Sequence, residues 1–110
     1  MWWNATGASP MIYRMRIYEG VRPNAAVFNS FFEQHLLPVQ VRHGARLVGR
    51  WQTEDDRIVA VWEYDSRECY EQIQAAVRRD SDSVKALEFR RTLPSLYRTM
   101  QETFMESTMT

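Results

Sequence analysis

The sequence predicts an α+β fold: a chain running βαββαβ into a four-stranded antiparallel sheet with its helices on one face. Three observations carry this. Residues alternate with period two at 11–19, 45–53 and 57–64; apolar residues recur at helical spacing at 25–43 and 66–79; and the two patterns interleave in that order. At 110 residues the chain suits one domain, which at this size buries roughly 65% of its unfolded surface.

The first strand is "MIYRMRIYE", residues 11–19, where Met11, Tyr13, Met15 and Ile17 alternate with Ile12, Arg14, Arg16 and Tyr18. "GVRPN" ends it, and Pro23 suits a first helical turn because its missing N–H has no partner there. From Ala25 to about His43, the spacing of Val27, Phe28, Phe31, Phe32, Leu36 and Val39 predicts an amphipathic helix. Pro38 should kink it, and Gly44 should stop it. "ARLVGRWQT" and "RIVAVWEY" predict a hairpin turning at Glu54-Asp55-Asp56, a stretch read as a solvated turn. Asp65 and Glu68 resemble a capping box opening the helix "SRECYEQIQAAVRR", with Tyr70, Ile73, Ala76 and Val77 inward. "SDSVKALEFRRTL" reads as a shorter helix stopped by Pro94, and "SLYRTMQETFME" as the last strand.

Composition narrows the function classes. Fourteen basic and fourteen acidic residues cancel, so no electrostatic footprint for nucleic acid or an anionic membrane is present. A single cysteine, Cys69, forms no internal disulfide and fits a reducing, cytoplasmic setting. No apolar run approaches the roughly 20 residues of a membrane-spanning helix, and "MWWNATGASP" lacks the features of a signal peptide. Residues 1–10 are expected to be a flexible N-terminal extension, in which Trp2 and Trp3 could dock on a partner subunit. Residues 11–106 form the folded domain and 107–110 a tail.

The third strand predicts an assembly. A sheet covered on one side alternates apolar with polar, yet Ile58, Ala60, Trp62 and Tyr64 oppose Val59 and Val61. With both faces apolar, a lone protomer would expose one of them. A homodimer is therefore expected, two sheets packing face to face into a barrel.

Three motifs in order resemble one family. "IYRMRIYEGVRP" is similar to the opening strand and proline-led helix of NIPSNAP proteins, "HGARLVGRWQT" to their His-Gly and Gly-x-Trp second strand, and "VWEYDS" to their third strand and helix start. The resemblance covers about residues 11–95 and implies a ferredoxin-like domain that pairs as a dimeric α+β barrel. Arg14 departs from it, standing where the family would lead one to expect a glutamate. Superfamily relatives include cofactor-free monooxygenases, isomerases, dehydratases, cyclases of polyketide-like substrates and haem enzymes, a range that fold alone does not narrow.

The chemistry-bearing candidates are few. His35 follows Phe32 by three residues and Phe31 by four, so it is expected to face the sheet. It reads as a hydrogen-bonded core-edge histidine, a pocket acid or base, or a haem ligand. His43, at a helix end, suits the satisfaction of free carbonyls. Arg14, Arg16 and Tyr18 share a strand face; buried arginines must pair with acids such as Glu63, reach solvent, or line a wet cavity for an anionic or enolic ligand. Trp51, Trp62 and Tyr64 read as core or interface, or as an aromatic wall for a flat substrate. No zinc pattern, phosphate loop or nucleophile elbow occurs. Two readings stay open: a cofactor-free enzyme acting on a small apolar or aromatic molecule, with Arg16 holding an oxyanion and His35 or Tyr18 moving the proton, or a non-catalytic dimeric binding or scaffold module.

Overall fold

The structure, a computed structural model, describes residues 10–109; the expected extension with Trp2 and Trp3 lies outside the described residues, Pro10 apart. Strand β1 spans Ile12–Glu19, α1 Ala25–Phe31, α2 Leu37–Arg42, β2 Arg46–Gln52, β3 Arg57–Tyr64, α3 Arg67–Arg79, α4 Ser81–Arg90 and β4 Thr99–Met105. The sheet runs β2-β3-β1-β4 with every neighbouring pair antiparallel. That order is ferredoxin-like, as the alternation of patterns predicts, with each helical region divided in two. No helix among the described residues is long and apolar enough to cross a membrane.

The predicted kink at Pro38 takes a particular form. Between α1 and α2 the backbone makes a π-turn, Phe32–Leu36, in which the Leu37 N–H reaches the Phe32 carbonyl five residues back. Proline can neither donate to Gln34 nor sit against its carbonyl in a regular helix, and a widened turn accommodates both facts. Gly44 then ends α2 at φ +105°, a left-handed geometry that favours glycine.

Three local expectations are corrected. The cap of α3 is Ser66 rather than Asp65: its hydroxyl accepts from the Cys69 N–H at 3.0 Å. Asp65 instead meets Arg46 across the sheet edge at 2.9 Å. His43 is the C-cap of α2 and its backbone N–H donates to the Val39 carbonyl at 3.3 Å, but its side chain leaves that helix's carbonyls, with Nε2 2.8 Å from Asp80, the residue that caps α4. The acidic turn is more than a solvated loop. Asp56, at φ 67°, accepts from the Arg22 N–H (2.7 Å) and the Gly20 N–H (3.0 Å), tying the hairpin to the end of β1. Ser66→Ala is expected to cost about 1 kcal/mol, the usual worth of a lost N-cap, measured as a shift in urea midpoint at unchanged slope.

Helices cover one face of the sheet. Against it pack two apolar clusters: one joins Val21, Phe28, Phe31, Ile58, Ala86 and Leu96, the other Ile12, Phe32, Ala45, Trp62 and Tyr64. The inward set of β3 is buried throughout, while Val59 and Val61 point the other way and are only half-buried. Across the register they neighbour Met15 and Ile17 on the same open face. Trp51 lies there too, 53% exposed, with its ring laid back over Gly49, where a methyl group would collide with it.

Candidate functional site

Register places the polar cluster. Period-two alternation sends Arg14, Arg16 and Tyr18 of β1 to the helix-covered face, beside Trp62, Ala60 and Ile58 of β3 and Phe104, Glu102 and Met100 of β4. A bulge at Val48 resets β2, so Leu47 lies opposite Trp62 and Arg50 opposite Ala60. Arg50 and Arg16 therefore flank Ala60, the smallest inward side chain of β3.

Arg14 is the most enclosed charge, its side chain only 5% exposed. Its Nη2 donates to the Tyr64 hydroxyl at 2.9 Å and its Nη1 to Glu102 Oε1 at 3.2 Å. The rings of Trp62, Tyr64 and Tyr70 surround it at 5.3–5.8 Å, a setting in which cation–π attraction offsets part of its desolvation. Burial raises the Tyr64 phenol, against the opposing pull of Arg14. Arg16, 33% exposed, donates from Nε to the same Glu102 oxygen at 3.0 Å and from Nη1 to the Tyr18 hydroxyl at 3.3 Å. Burial works against its charge, but Tyr18 and Glu102 outweigh it and hold the guanidinium more firmly protonated than usual. For Glu102 burial favours the neutral acid, and the two arginines prevail and lower it.

The candidate residues thus divide. Arg14, Arg16, Tyr18, Trp62 and Tyr64 come together between sheet and helices. Trp51 does not, since it stands on the opposite face. His35 also lies apart, and its expected orientation is corrected. Its ring stacks on Phe31 (5.6 Å) and packs on Phe89 (4.6 Å), because α4 covers that side of the π-turn. It borders a groove of about 440 Å³ with Gln34, Pro38, Val39, Arg42, Asp82, Lys85 and Phe89, none of them on the sheet. Glu63 is not the arginines' partner either: one residue out of phase, it points to the open face and holds Arg46 at 2.7 Å. The acid that serves them is Glu102, and the third arginine is Arg50; neither stands out in the sequence as a site residue.

The profile of the NIPSNAP family matches residues 13–109. A NIPSNAP-like domain protein from Burkholderia xenovorans is 25% identical, with 92% of this chain and 88% of that chain covered at a TM-score of 0.74. A NIPSNAP family protein from Agrobacterium tumefaciens is 21% identical, covering 89% and 88% at a TM-score of 0.75. A dimeric ferredoxin-like protein from an uncultured marine organism shares the fold at 16% identity, covering 94% and 91% at a TM-score of 0.63. No curated protein matches the sequence at a significant level.

Proposed function

The chain belongs to the NIPSNAP family, and from that premise we propose a homodimeric barrel protein that acts on a small, largely apolar or aromatic molecule held between sheet and helices. Its chemistry is proton transfer, cyclisation or oxygenation of an enolisable substrate without a cofactor. The observation that carries the reading is Arg16: one-third exposed, it presents a cation that a ligand can reach, with the Tyr18 hydroxyl bonded to it. In this scheme Arg16 stabilises the enolate oxygen and Tyr18 relays the proton, while Arg14, Trp62 and Tyr64, enclosed in the core, support the site from behind without touching the ligand. His35 and Trp51 take no direct part.

Oxygen uptake and product formation from anthrone, a planar enolisable aromatic ketone, test the roles. Arg16→Ala should lower kcat by about a hundredfold, the scale of a lost oxyanion donor, and Tyr18→Phe should lower it similarly with little change in KM. Turnover that neither substitution alters would overturn the assignment. If haem were used instead, reconstitution would give a Soret band that His35→Ala removes.

The homodimer is supported by the apolar open face built from Met15, Ile17, Val59, Val61 and Trp51, together with the dimeric ferredoxin-like relative in fold. Light scattering at micromolar concentration should give twice the protomer mass; a stable monomer would refute it. One observation favours a non-catalytic binding or scaffold role: Glu102 already holds both Arg14 and Arg16, as purely structural arginines would require.

A further inference from the structure

Arg50 is fixed in place without a direct ion pair among the described residues. Its Nη1 donates to Asn29 Oδ1 at 2.5 Å, and its Cζ lies 4.7 Å from the ring centre of Phe28 and 4.4 Å from that of Phe32, one helical turn further on. The other two nitrogens, Nε and Nη2, are shut off from solvent and have no hydrogen-bond partner among the described residues. Burial makes its charged form harder to hold than that of an ordinary arginine and outweighs the pull of Tyr18 and Glu33, neither of which bonds to it among the described residues. Stacking on aromatic rings satisfies the faces of a guanidinium but not the N–H groups in its plane.

The identity of the vacant pair matters. Nε and Nη2 lie along one edge of the guanidinium, and their parallel N–H groups match the two oxygens of a carboxylate in bidentate pairing. Asn29 occupies Nη1, so the free donors are not scattered but form one complete fork. Among the described residues the only acid bonded to the neighbouring arginines, Glu102, is taken by Arg14 and Arg16. Arg16 lies across Ala60 from Arg50, which puts the fork and the Arg16–Tyr18 pair on the same covered face. The walls on the helix side, Phe28 and Phe32, are apolar and aromatic.

We propose that the Nε–Nη2 edge of Arg50 is the carboxylate-recognition element of the cleft, and that the natural ligand is a small organic acid with a flat apolar body. Asn29, Phe28 and Phe32 act as positioning residues that hold the fork. The proposal rests on the reading of this cleft as a ligand site and deepens it by naming the anchoring group.

Calorimetric titration with 2-naphthoate tests it, with neutral 2-naphthamide and inorganic phosphate as comparison probes. The wild-type protein should bind 2-naphthoate at least about tenfold more tightly than either, the scale of one charged bidentate contact. Arg50→Met should lose that preference. Arg50→Lys, which keeps the charge but not the fork, should lose most of it and serves if the methionine variant does not fold. The melting temperature of Arg50→Met should equal or exceed that of the wild type, because a half-buried charge with two sealed, unbonded N–H groups is removed. Unchanged naphthoate affinity in both Arg50 variants, with a lowered melting temperature, would assign Arg50 a structural role and overturn the proposal. Phosphate binding as tight as naphthoate would overturn the carboxylate assignment. If Arg16→Ala weakens naphthoate binding and the Arg50 variants do not, the anchor fails and the cleft reading stands. If none of these substitutions weakens it, both fail.

Discussion

Glu102→Gln is expected to destabilise the protein by about 2 kcal/mol at pH 7, and the difference should close below about pH 4. One carboxylate oxygen accepts from Arg14 at 3.2 Å and from Arg16 at 3.0 Å. Breaking a buried pair costs about 3–5 kcal/mol because the remaining charge is stranded; Glu102 itself is 30% exposed, so solvent screening reduces the figure. Arg14, almost fully enclosed, is what keeps it from vanishing. The pH dependence follows from the direction of the shift. The carboxyl is held below its ordinary value in the folded protein, so the unfolded chain binds the proton more readily. The ion pair's contribution is therefore complete above the unfolded value of about 4.3 and is lost as pH falls through the lower, folded one. Urea denaturation of both proteins at pH 7, 5 and 3 checks this, and a difference that persists unchanged at pH 3 would show that it does not come from the charge of the carboxylate.

Phe28→Ala should cost about 4 kcal/mol, in the range for deleting a buried aromatic ring and a large share of the total for a domain of this size. Phe28 is buried in the cluster with Val21, Phe31 and Ile58. Its ring meets Tyr18 edge-on at 5.0 Å and 86° and lies 5.6 Å from Tyr97. The same ring bears on Arg50, so one side chain serves the core and seats the guanidinium. Phe28→Leu separates the two roles. It keeps most of the volume, costs under about 1.5 kcal/mol, and removes the aromatic face on which the guanidinium rests. Equilibrium unfolding gives both values; an alanine variant within 1 kcal/mol of wild type would show that the cluster closes around the gap.

Strands and helices were legible wherever one period ran uninterrupted. "RIVAVWEY" marks β3 to the residue, Arg57–Tyr64, because each outward position alternates with a buried one. The common face of Arg14, Arg16 and Tyr18 followed from the same alternation. Reading failed where the period was broken or where a partner came from far along the chain. The π-turn and the packing of α4 carry His35 away from the sheet, and nothing local to "FFEQHLLP" announces that Phe89 will lie against it. Arg50 sits three residues after Leu47 yet shares its face, a relation that only the bulge at Val48 creates. Glu102 pairs with residues 86 and 88 positions earlier, and in "TMQETFM" it reads as one more outward polar residue. Glu63 was the nearer acid and the wrong one, since a single step along a strand changes the face.

The π-turn before Pro38 also bears on how chains of this kind can vary in length. A π-turn holds one residue more than an α-turn over the same helical advance. Removing a residue between Glu33 and Leu36, together with replacement of Pro38 by a residue that carries an N–H, would therefore leave a plain α-helical turn, with Val39 and everything after it still facing the same way. Related chains can differ by one residue here without re-threading the core, and an alignment across this helix should place its gap at the π-turn rather than in either flanking segment.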